Sequence, residues 1–258
     1  MMSNKELRTL LKFEGISKIL EVGPATYNRV LKEVSFAVKK GEIFGFVGQN
    51  GAGKSTILKI AMGYLKPDSG EVFFYEGDNK ILPKQFVLKG RCGFLAENFQ
   101  AYDEMTVEEV VNFAVATKKA ATELSENEIL EVVDRIGIRD YFPKKMKQLS
   151  KGMRQKVGLT LAVMGNPEVL ILDEPASGLD PLHRYEFKNL IKELNAKGVT
   201  VIFSSHLLED VRDLCDRIAI VHGGEIVEVL DLSKLEGDLE EYFVKRIKKI
   251  YLSKAEEE

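Results

Sequence analysis

Residues 48–55 read Gly48-Gln49-Asn50-Gly51-Ala52-Gly53-Lys54-Ser55 and fit the pattern G-x-x-x-x-G-K-[ST]. Glycines let consecutive backbone N–H groups turn toward one anion without Cβ clashes. A Phe/Val/Ile run leads into the loop, and Ser55-Thr56-Ile57-Leu58 starts a helix whose N-terminus adds partial positive charge. Lys54 is the fixed cation for β- and γ-phosphates, and the Ser55 hydroxyl suits Mg²⁺. At average glycine usage, a chance match in a chain this long is a roughly 1% event. The glycines do not fall as G-x-G-x-x-G, so a dinucleotide fold of the Rossmann type is excluded.

A second group follows at Val169-Leu170-Ile171-Leu172-Asp173-Glu174-Pro175. An apolar run of this kind is a central parallel strand covered on both faces. Ligands of α/β sheets sit at the carboxyl ends of strands, so the two acids fall beside the phosphate loop. Asp173 can hold Mg²⁺, and Glu174 can orient or deprotonate an attacking water.

A third segment, Leu149-Ser150-Lys151-Gly152-Met153-Arg154-Gln155, opens a helix. Ser150 is a good N-cap, and its hydroxyl with the free N–H groups of the helix start makes a second anion site. Gly152 permits close approach to a phosphate. In this order the motifs resemble the nucleotide-binding subunit of ATP-binding-cassette (ABC) transporters, whose signature is L-S-G-G-Q where this chain has L-S-K-G-M. The resemblance runs from about Phe13 to Val229. It includes Asp180 in Ser177-Gly178-Leu179-Asp180, like the family's D-loop, and His206 in Phe203-Ser204-Ser205-His206, like its switch histidine.

The resemblance implies that residues 48–56, through Thr56, bind ATP with Mg²⁺, and that Glu174, His206 and Lys54 carry hydrolysis. It implies that Ser150, Lys151, Gly152 and Met153 contact the ATP of an opposing subunit, in a head-to-tail dimer of like or unlike chains. Two positions depart from the family. Glu97, in Gly93-Phe94-Leu95-Ala96-Glu97, stands where the family has a Mg²⁺-sensing glutamine; ionised, it ligates a cation but donates no hydrogen bond. Leu20 stands where an aromatic stacks on adenine, after the first strand, and Tyr27 is the nearest aromatic that could replace it. The variant motifs resemble the type-2 exporter branch. The implied function is ATP hydrolysis that energises a separately encoded integral-membrane permease. A soluble ABC ATPase acting on a protein assembly is the alternative.

These residues need a scaffold. Apolar runs at 43–47, 72–75, 93–95, 169–172, 199–203, 218–221 and 226–230 are candidate strands that alternate with helical segments, the pattern of an α/β protein. His222-Gly223-Gly224-Glu225 predicts a tight hairpin, so the last two strands pair antiparallel. Between about 106 and 165 no strand is expected. Thr106-Val107-Glu108-Glu109 and Ser125-Glu126-Asn127-Glu128 are capping boxes, and Gly137 and Gly165-Asn166-Pro167 are stops. The expected fold is a P-loop NTPase core with a small N-terminal antiparallel β part and an inserted α-helical subdomain. One cassette spans 1–236, with its core in 1–97 and 167–230 and its helical part at about 98–166. A charged helical tail occupies 237–258 and frays at Ala255 to Glu258. The pairs Lys39-Lys40, Lys118-Lys119 and Lys144-Lys145 are read as solvated faces.

Composition closes off other classes. Of 258 residues, 37 are Lys or Arg and 40 Asp or Glu, for a net charge of -3, without the basic surplus of a general nucleic-acid binder. Cys92 and Cys215 make no disulfide framework, and His183, His206 and His222 show no metal spacing. No stretch approaches the ~20 apolar residues of a membrane span, and residues 1–11 lack a secretory core. The expected location is cytoplasmic, peripheral on the inner face of the cell membrane.

Overall fold

A computed structural model describes residues 8–118 and 125–255. Two long strands, β1 (Thr9–Gly23) and β2 (Thr26–Lys39), form an opening hairpin. There follow β3 (Ile43–Val47), α1 (Lys54–Ala61), β4 (Ser69–Glu76), β5 (Asn79–Ile81), α2 (Pro83–Leu88) and β6 (Cys92–Leu95). Then come α3 (Val107–Lys118), α4 (Glu126–Ile136) and α5 (Lys151–Val163), with two short 3-10 helices between the last pair. The chain continues through β7 (Val169–Asp173), α6 (Pro181–Ala196), β8 (Thr200–Ser205), α7 (Leu208–Leu214), β9 (Arg217–His222), β10 (Glu225–Asp231) and α8 (Leu239–Ala255).

The main sheet runs β10-β9-β3-β8-β7-β6, parallel except for the β10–β9 pair. Its strands are apolar on both faces because both are covered. Phe44 and Phe46 point into one core and Ile43 and Val47 into the other; Val169 and Ile171 oppose Leu170 and Leu172 in the same way. The first face is covered by α1 and by the antiparallel sheet β2-β1-β4-β5. The second packs on α3, α5, α6 and α7. Burying each such Ile, Leu or Phe side chain contributes about 1.5–3 kcal/mol. The strands β3, β8 and β7 lie side by side, so their carboxyl ends converge on one place.

The helix signals hold. Thr106 and Glu109 exchange side-chain-to-backbone bonds, as do Ser125 and Glu128, and Gly137 ends α4 at φ 73°. Gly223 and Gly224 both take positive φ, and the turn they make joins an antiparallel pair.

Three expectations change. β1 and β2 had no strand candidate. Their pairing carries five register shifts, each of which breaks the two-residue alternation. Leu20, expected just before a small loop that follows the first strand, lies inside a longer β1, opposite Asn28. Lys118 is not on a solvated face: its Nζ donates to Leu161 O at 2.7 Å and Met164 O at 2.8 Å, at the end of α5. Burial pulls its pKa down to about 8. Lys119 and residues 256–258 lie outside the described residues.

Candidate functional site

The phosphate loop joins β3 to α1. A Cβ on Gly48 would fall 2.2 Å from Val221 O, and Gly53 holds φ 109° with Leu31 and Val30 O against its open side. Only glycine fits at either position. The β9–β10 turn braces the loop, with Gly224 N donating to Ala52 O at 3.1 Å. Because α1 begins at Lys54, the free N–H groups of its first turn belong to the loop.

Lys54 is 5% exposed. Its Nζ donates to Gly48 O at 2.7 Å and Gln49 O at 3.3 Å, and lies 3.2 Å from Glu174 Oε1. The lysine therefore sits in the cradle, held by groups it can exchange for phosphate oxygens.

Asp173 ends β7. Its Oδ1 accepts from Ser55 Oγ at 3.0 Å and from Ser204 Oγ at 2.7 Å. Glu174 turns sharply, at φ 47°, a left-handed conformation that costs a side-chain-bearing residue on the order of 1 kcal/mol or more. The turn brings its carboxylate over the loop. Oε2 lies 2.7 Å from His206 Nδ1 and accepts from His206 N at 3.3 Å. Oε1 is buried beside Lys54 but accepts no hydrogen bond. Glu174 thus joins the loop lysine to the end of β8 and keeps one acceptor open.

The cavity above the loop is bounded by Val30, Glu97 and Glu174, with Asn50 to Thr56 as its floor. The oxygen set of Ser55, Asp173 and Glu97 fits Mg²⁺, which uses one or two carboxylates together with substrate phosphates. Among the described residues, no group of three or more His, Cys, Asp and Glu could hold a metal by itself. Glu97 is further tied to α5 through its carbonyl, which accepts from Gln155 Nε2 at 2.8 Å.

Other expected residues lie apart from this cavity. Ser150 caps α5, accepting from Met153 N at 3.2 Å, and is exposed with Lys151. Gly152 packs against Leu179 and His183. None of Ser150, Lys151, Gly152 or Met153 lines the loop cavity. Asp180 caps α6 and pairs with His183, whose backbone N–H holds the carboxyl below its usual range. Leu20 is half-buried and Tyr27 is 68% exposed, and neither lines the cavity, whereas Val30 does. Val30 carried no sequence signal. Ser204 did carry one, a hydroxyl directly after the apolar run 201–203.

A family model described as "ABC transporter" matches residues 31–177, which include the loop, the signature segment and both acids. The chain belongs to the ABC transporter family. This cassette is 39% identical over 219 residues to an uncharacterized ABC transporter ATP-binding protein of Nostoc sp., covering 83% of this chain and 63% of that protein. It is 35% identical to the linearmycin resistance ATP-binding protein LnrL of Bacillus subtilis, covering 81% of this chain and 68% of LnrL. The cassette also resembles the solved dimer of the ATP-binding cassette MJ0796 in a post-hydrolysis state with ADP and Pi. That match has a TM-score of 0.75 and 26% identity, and covers 89% of this chain and all of the other. The chain spans 63–65% of the length of some of the curated relatives it matches. The P-loop ABC ATPase fold expected from the resemblance is met.

Proposed function

We propose that this cassette binds and hydrolyses ATP with Mg²⁺, and that two cassettes close head to tail around two ATPs to energise a separately encoded permease that exports its substrate. The supporting observation is the Glu174 carboxylate. It spans Lys54 and His206, with one oxygen free of hydrogen bonds directly over the phosphate loop.

The residues divide the work. Lys54 exchanges the Gly48 and Gln49 carbonyls for β- and γ-phosphate oxygens. That exchange releases Glu174 from its ion pair. Oε1 then accepts a proton from the attacking water, while His206 holds Oε2 and faces the γ-phosphate. Ser55 and Asp173 hold the cation, with Glu97 as a further oxygen donor. Mg²⁺, when bound, neutralises charge developing on the transferring phosphoryl group.

The signature completes the site in trans. Ser150 and Lys151, at the start of α5, are exposed in one chain, so a second cassette can bring that helix start to the γ-phosphate. The dimeric relative with ADP and Pi supports this arrangement. Val30 borders the cavity, with Leu20 or Tyr27 as the adenine cover. The boundaries at about 98–166 and 237 assign α3 to α5 to one subdomain and α8 to a tail. Among the described residues, no helix is long and apolar enough to cross a membrane. The resemblance implies that the permease docks around Glu97 and the helical part, at the inner face of the membrane. The resistance function in the name of LnrL supports export.

Phosphate release by the purified chain tests the catalytic part. Glu174→Gln should lower it at least about a hundredfold, the lower range for a lost general base. Turnover in the variant at the wild-type rate would contradict the assignment. Purifying the native complex from membranes tests the transport part, which requires a multi-span protein in that complex.

A further inference from the structure

We infer that Ser204 is a positioning residue for hydrolysis, a reading that rests on the ATPase function proposed above. Ser204 is fully buried near the end of β8, between the loop strand and the acid strand. Its strand neighbours Val201, Ile202 and Phe203 are apolar and supply core packing. The alternation of a strand places Ser204 on the face of Ile202, where a hydrocarbon would be expected.

The hydroxyl is satisfied twice. It donates to Asp173 Oδ1 at 2.7 Å and accepts from Glu174 N at 2.9 Å. One oxygen thereby fixes both acids, Asp173 through its carboxylate and Glu174 through its backbone.

Each bond has a consequence. The ladder between β7 and β8 ends at the Asp173–Ser204 pair, so the next N–H has no strand carbonyl to meet. Ser204 supplies that acceptor at the residue held at φ 47°. Without the bond, the strained turn that aims the Glu174 carboxylate loses an anchor and leaves a buried N–H without a partner. On the other side, Oδ1 of Asp173 receives the hydroxyls of Ser204 and Ser55 together. Those two donors fix the carboxylate's rotation and leave Oδ2 for a cation. Ser204 is buried and does not line the loop cavity, so its effect passes through Asp173 and Glu174.

The test compares Ser204→Thr with Ser204→Val. These side chains have nearly the same volume and differ in the hydroxyl, so crowding affects both and the hydrogen bonds only one. Ser204→Ala, compared with wild type, serves if the larger residues do not fold. The expected result is a kcat 10- to 100-fold lower in Val than in Thr, as for outer-shell partners of metal ligands, with a raised Mg²⁺ half-saturation in Val. KM for MgATP and the affinity for ADP alone should stay within threefold, because Lys54 and the loop amides are untouched. Equal kcat values in Thr and Val, or in Ala and wild type, would overturn the positioning role. So would a fall in ADP affinity that matches the fall in kcat, which would mark general damage to the fold. A wild-type protein that binds ADP but turns over no MgATP would overturn the ATPase reading, and the positioning role with it.

Discussion

The ends of β3, β7 and β8 and the start of α5 both face phosphate in the proposed mechanism, yet they are built in opposite ways. At the strand ends, Lys54, Asp173 and Glu174 are each at most 7% exposed and are locked together through Ser55, Ser204 and His206. At the start of α5, Ser150 and Lys151 are exposed and Ser150 does no more than cap its own helix. A buried polar cluster must find its partners within the chain, because unpaired groups there are costly. An exposed helix start has water as a partner and can wait for another molecule. The contrast fits the proposal that the hydrolytic machinery lies within one chain and its trigger on a second.

The largest effect should come from Lys54→Ala. It removes the lysine proposed to meet the β,γ-phosphates and leaves Glu174 buried without that ion-pair partner. Phosphate release should fall by a factor of about 10³ or more, near 4 kcal/mol of barrier. Turnover at the wild-type rate would break the assignment of the buried half.

Ser150→Ala probes the exposed half and should split two readouts. Loss of the N-cap should cost about 1 kcal/mol of stability, visible as a small drop in melting temperature. ADP binding by the single chain should be unchanged, because Ser150 does not line the loop cavity. A severalfold loss of ADP affinity would place Ser150 in its own chain's site.

Asp180→Ala removes the cap of α6 and the pairing with His183. We expect about 1 kcal/mol of destabilisation on thermal unfolding. Asp180→Asn should retain most of that stability, since an amide oxygen still caps.

Glu97→Gln should do least. Both side chains offer an oxygen at similar reach, and the cavity position is kept. Steady-state turnover should stay within tenfold of wild type. A fall beyond a hundredfold would show that the charge of Glu97 matters at the cation.

The same contrast decides what was legible in the sequence. The strands β3 and β7 read clearly because both faces are buried, so the apolar run is continuous. Their terminal residues could be assigned because Gly48 to Ser55 and Asp173-Glu174 carry chemistry that packing does not require. The hairpin of β1 and β2 gave no strand candidate of its own because its register shifts break the alternation, and the N-terminal antiparallel part was expected only through the resemblance. Val30 reaches the cavity through that irregular pairing, and no side-chain chemistry marks it. Ser204 lay just past the candidate strand 199–203, and its partners are fixed only once β7 and β8 align. From its own residues the signature segment offered a helix cap, an anion site at the helix start and a glycine for close approach, but nothing that names their partner. Its assignment came from resemblance, because its proposed phosphate lies on another molecule.

The most direct test is the mass of Glu174→Gln in solution, by size-exclusion chromatography with light scattering, with and without ATP. The amide keeps the size of the acid, accepts no proton from water and no longer holds Lys54 by charge. ATP should therefore trap a dimer that is absent without nucleotide, stabilised by mass action. Adding Ser150→Arg should abolish that dimer while the monomer still binds ATP. A monomer that binds ATP without dimerising, or a dimer that survives Ser150→Arg, would contradict assembly of the site from a buried half and a partner's exposed helix start.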